Sequence, residues 1–123
     1  MTYREFRNDY EQESDKWSEK YEQMSELEIL SLIEKREWDL THQIWCSIRN
    51  KGTIEKSTPI LMKVLRKRFT SFLTRNHCAE ALFSITKIND EILKKRVIGS
   101  LQRFQLSIDR KNALNELEKR LKK

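Results

Sequence analysis

Thr58-Pro59-Ile60-Leu61-Met62-Lys63-Val64-Leu65 and Asp90-Glu91-Ile92-Leu93-Lys94-Lys95-Arg96-Val97 decide the fold, because one pattern is written twice. Displaced by 32 residues, Thr58 falls on Asp90, Ile60 on Ile92, Leu61 on Leu93, Leu65 on Val97, Phe69 on Leu101 and Phe72 on Phe104. The same displacement carries Ala81 onto Ala113, Leu82 onto Leu114 and Ile85 onto Leu117. Apolar residues three and four apart mark a helix with one buried face. A displacement that survives two helices and their loop marks a repeated helical hairpin. Thr58 and Asp90 suit the N-cap, and Pro59 suits the first helical position, where its missing amide had no partner anyway. A fainter earlier copy places Ile29, Ile33 and Leu40 at 32 residues before Leu61, Leu65 and Phe72, while Trp45 and Ile48 match Leu82 and Ile85 at 37.

Working outward, Ser25-Glu26-Leu27-Glu28 is a capping box, and the helix behind it carries Leu27, Ile29, Leu30, Leu32 and Ile33. Asp39 can cap the next helix, with Leu40, Ile44, Trp45 and Ile48, which Gly52 ends. Further helices are predicted over about 75–87, from Asn89-Asp90 to Leu101, and from about Asp109 to Leu121. Before all of these, Tyr3, Tyr10, Trp17 and Met24 recur every seven residues, and Phe6 and Tyr21 widen the same face. Residues 1–24 thus read as an amphipathic helix with an aromatic stripe and an acidic remainder. Glu13 and Lys20 interrupt the seam that a coiled coil needs. The expectation is seven helices in a single domain, 1–123.

A helix pair recurring at roughly 30–45 residues is the mark of an α-solenoid. Arg75-Asn76-His77-Cys78-Ala79-Glu80-Ala81-Leu82-Phe83-Ser84-Ile85 resembles the inner helix of a HEAT repeat, and residues 25–121 resemble the short bacterial HEAT-like arrays. The resemblance implies an all-α, HEAT-like α-solenoid of about three helical hairpins behind the N-terminal amphipathic helix. Pro59 matches the family's first-helix proline, whereas the next unit has Glu91 there.

Composition narrows the classes. Two glycines and one proline leave little for hairpin turns, which argues against an all-β fold. Leu, Ile, Val and Phe make up about 26% of the chain, enough for a thin core despite 36% charged residues. No run approaches the ~18 apolar residues of a membrane helix, and the first residues lack a signal-peptide apolar run. Cys46 and Cys78 are the two cysteines and suggest free thiols in a reducing cytoplasm.

Little in the chain invites catalysis. There is no glycine-rich phosphate loop, no Gly-x-Ser-x-Gly and no His-Glu-x-x-His. His42 and Cys46 share a helix face at i, i+4, but His77 and Cys78 are adjacent and point about 100° apart. No established zinc spacing results, and both cysteines read as small core residues. Trp38, Asp39 and Trp45 carry a faint likeness to helical-repeat DNA glycosylases, but Asp39 is explained as a cap and Trp45 as core. No catalytic residue, metal or cofactor is expected.

Charge is laid out unevenly. Residues 1–39 hold 6 basic and 12 acidic side chains, whereas 40–123 hold 19 and 7. The split points either to an anionic partner or to pairing of the two parts. The function expected is non-enzymatic recognition of another protein by an adaptor, regulatory or immunity-type module. Arg49, Arg75, Glu80 and Lys87 are its candidate exposed contacts. The alternative is nucleic-acid binding along a basic ridge of Lys63, Arg66, Lys67, Lys94, Lys95 and Arg103.

Overall fold

The computed structural model describes residues 20–36, 42–100 and 106–122, and within them it is all-helical, without a strand. Among the described residues six helices have both ends placed: α1 (Glu26–Arg36), α2 (His42–Lys51), α3 (Ile54–Leu65), α4 (Phe72–Thr86), α5 (Glu91–Ile98) and α6 (Ile108–Leu121). Most of the expected N-terminal amphipathic helix, together with Asp39 and Arg103, lies outside the described residues.

The helix starts are set by side chains that accept from free amides. The capping box forms as expected, with Glu28 N–H donating to Ser25 Oγ at 3.2 Å and the Glu28 carboxylate 3.1 Å from that hydroxyl. Asp90 accepts from Leu93 N–H at 3.0 Å at the head of α5. Three starts differ from the sequence expectation. α3 opens four residues before Thr58, capped by Thr53, so Pro59 lies inside the helix and Thr58 caps nothing. The Thr58 hydroxyl is instead buried with no partner among the described residues. α4 begins at Phe72 behind Ser71, and α6 at Ile108 behind Ser107. In each case a hydroxyl upstream of the expected start accepts from an amide of the first turn.

α1 packs on α2 and α3, and α4 packs on α2, α3 and α5, with α6 against α5. α4 is therefore covered on several sides. Arg75, Cys78, Ala79, Ala81, Leu82 and Phe83 on it are all buried, so its sequence is apolar around most of its girth. Several repeat-matched positions have like burial: Leu61 and Leu93, Leu65 and Val97, Ala81 and Ala113, and Leu82 and Leu114 are all buried. Ile60 and Ile92 do not match, since Ile60 packs on the core while Ile92 is exposed. Trp45 is core, as expected, but Cys46 is exposed.

Two glycines shape the joints. At Gly52 an added Cβ would stand 2.5 Å from Ile85 Cδ1 and 2.6 Å from the Ile48 carbonyl oxygen, so α2 closes tightly on α4. Gly99 ends α5 with φ +76°, a conformation that side chains disfavour, and the Arg110 side chain lies across it.

Candidate functional site

The candidate contacts separate once they are placed. Arg49 and Lys87 are exposed, while Glu80 is half-buried and bonded to Lys94 at 3.1 Å. Arg75 corrects the sequence reading. It is fully buried, and its guanidinium donates to the carbonyls of Ile98 at 2.6 Å, Thr70 at 2.7 Å and Ser100 at 2.7 Å. A side chain spent on three backbone acceptors is not available to a partner.

Arg110 does the same work one joint away, and sequence reasoning missed it. From α6 it donates to Leu65 O at 2.8 Å and Val97 O at 2.9 Å, which lie at the C-termini of α3 and α5. The last carbonyls of a helix have no amides of their own and carry partial negative charge, so a guanidinium there is favoured. Burial, and then the neighbouring Arg75 charge, pull the Arg110 pKa down to about 10. The signal available in the sequence was an arginine four residues behind Ser71 and another three behind Ser107, each one turn into a capped helix.

The basic ridge is largely occupied by carboxylates of the same chain. Lys63 meets Glu34 at 3.4 Å, Arg66 meets Glu118 at 3.1 Å, and Lys94 bridges Glu80 and Glu91, both at 3.1 Å. Lys95 is exposed and Lys67 half-buried.

Where α3 runs beside the end of α6, the two helices leave an open groove of about 670 Å³. Pro59, Met62 and Leu121 give it an apolar floor, and Lys63, Arg66, Lys67 and Lys122 stand around it, with Glu118 as its single carboxylate among the described residues. Arg66 is fixed there by Asn115 and Glu118, both at 3.1 Å. An apolar floor inside a cationic rim suits a ligand that is apolar on one side and anionic on the other.

A second feature lies between α2 and α4. His42 Nε2 and Cys46 Sγ are 3.3 Å apart, and the His42 and His77 rings lie 4.8 Å apart, tilted by 53°. Burial, and then the nearby His42, hold the His77 pKa below the ordinary imidazole value. His77 was set aside in the sequence because of Cys78 beside it; the fold gives it different neighbours.

No family model matches the chain, and neither a curated protein nor a solved structure does. No helix among the described residues is long and apolar enough to cross a membrane.

Proposed function

We propose that the chain is a HEAT-like helical-repeat module that recognises another protein without catalysing a reaction. In this reading it is an adaptor, regulatory or immunity-type protein of a bacterial-type cytoplasm. The observation that carries it is the α3–α6 groove. An apolar side chain of the partner enters over Met62 and Leu121, while its carboxylates meet Lys67 and Lys122 on the rim. The buried apolar patch supplies affinity and the rim supplies orientation and on-rate. Support for the repeat reading comes from the like burial of Leu61 with Leu93 and of Leu82 with Leu114. It also comes from the way the first two hairpins pack, α1 on α3 and α2 on α4. The carboxylates already seated on Lys63, Arg66 and Lys94 weigh against a phosphate-tracking ridge.

The test is affinity capture from the native cytoplasm with the wild-type chain, Lys67→Glu/Lys122→Glu and Leu121→Glu. A partner retained by the wild type and lost from both variants, with their helical circular dichroism intact, is the expected result. A partner that survives both variants refutes the groove. Binding of random duplex DNA that falls steeply with salt would install the nucleic-acid reading in its place.

A further inference from the structure

Two neighbouring helices each turn a pair of donor side chains into one crevice. α2 contributes His42 and Cys46, one turn apart, and α4 contributes His77 and Glu80, also about one turn apart. The crevice measures about 240 Å³, and Trp45, Arg49, Asn76 and Ala81 complete its lining. Helix pairs that present such spaced donors to each other are the way helical folds assemble metal centres. The donor types matter too, because thiolate and imidazole together suit a borderline-soft cation rather than magnesium or calcium.

One donor pair already stands at the spacing of a shared ion. Donors held by one tetrahedral ion at about 2.0–2.3 Å stand roughly 3.5 Å from each other. His42 Nε2 and Cys46 Sγ are 3.3 Å apart, which already meets that requirement. Two imidazoles whose ring centres lie 4.8 Å apart can bring one nitrogen each to a common point by rotation about their side-chain bonds. Among the described residues no three donors surround one point as they stand, so the ion itself would draw His77 inward. His42 and Cys46 are exposed and His77 is half-buried, which leaves that rotation room.

We propose that His42, Cys46 and His77 bind a divalent cation of the zinc class and thereby clamp α2 to α4. A water completes the tetrahedron, and Glu80, steadied by Lys94 at 3.1 Å, accepts one of its protons in a hydrogen bond. Cys46 binds as the thiolate and its proton passes to solvent, so binding tightens as pH rises. Ligation needs both helices, which makes the ion a lock on the joint that Gly52 closes.

The test uses the full chain and cobalt(II) as the probe. One equivalent of Co²⁺ should give a thiolate-to-cobalt charge-transfer band with ligand-field bands of tetrahedral strength, and Zn²⁺ should displace it. Cys46→Ser should abolish the charge-transfer band, His77→Gln should weaken Co²⁺ binding at least about tenfold, and Cys78→Ala should leave both unchanged. The chain has two histidines, so Zn²⁺ titration followed by ring-proton NMR of the wild type reports both without any variant. Both rings should shift together. No thiolate band, or a shift confined to His42, would overturn the proposal, the second by reducing the site to a chelate within α2.

Discussion

Replacing Arg75 tests the claim that buried guanidinium groups tie the helical joints. Its three bonds hold Ile98 O, Thr70 O and Ser100 O at 2.6–2.7 Å, and no carboxylate is among those partners. Arg75→Met keeps the aliphatic volume and removes the donors. Ser100 is exposed, so its carbonyl can turn to water, but Thr70 and Ile98 are buried and their carbonyls lose their partner. Two orphaned acceptors cost about 1–3 kcal/mol each. Relief of the buried charge, which burial already disfavours, offsets a part. A net loss of about 2–4 kcal/mol follows, or roughly 8–16 °C in Tm at about 4 °C per kcal/mol. Arg75→Lys restores the charge but not the planar three-way fork, and should recover less than half of the loss. Urea unfolding followed by far-UV circular dichroism and by tryptophan fluorescence reads both, with Trp45 in the core as a probe. An Arg75→Met chain within about 0.5 kcal/mol of wild type would refute the argument that these carbonyls depend on Arg75.

Three further outcomes are expected. Burial pushes the Glu26 carboxyl up, but bonds from Ser57 Oγ and from the Thr53 amide and hydroxyl overcome it and leave the pKa below 4.5. A carboxyl lowered by folding adds stability above its unfolded pKa and loses it as pH falls through the folded value. Glu26→Gln should therefore be less stable at pH 7 and show a shallower acid limb below about 4.5 in pH-dependent urea midpoints; an unchanged limb would count against the bonds. Gly99→Ala, at φ +76° and with its new Cβ 2.6 Å from Arg110 Cδ, should cost about 2–4 kcal/mol in the same unfolding assay, and a neutral result would deny the close approach. Cys46 is exposed and Cys78 is buried with its thiol 3.3 Å from Leu61 O, so a thiol reagent should label one site in the native chain and two in urea. Two fast sites in the native chain would contradict the packing of α4.

What the sequence determined alone was the helical class and much of the buried face. Leu61, Leu65, Leu82, Leu93, Val97 and Leu114 sit where periodicity put them, because a 3.6-residue repeat fixes which side chains share a side whatever the neighbours are. The Ser25 and Asp90 caps were legible for the same local reason: donor and acceptor lie three residues apart in one turn. Where several hydroxyls competed, as at Thr53 and Thr58, local rules could not choose between them. Tertiary structure alone decided the roles of the buried arginines and of the histidines. Arg75 reads as a surface residue until the ends of α5 and of the α3–α4 connection supply carbonyls around it, and Arg110 gains its role only where the ends of α3 and α5 meet it. His77 gained His42 as a neighbour from a helix 35 positions earlier, and the groove of Met62 and Leu121 joins residues 59 positions apart. Those meetings depend on how helices cross, and crossing is fixed by the packing of whole faces, which no single segment contains.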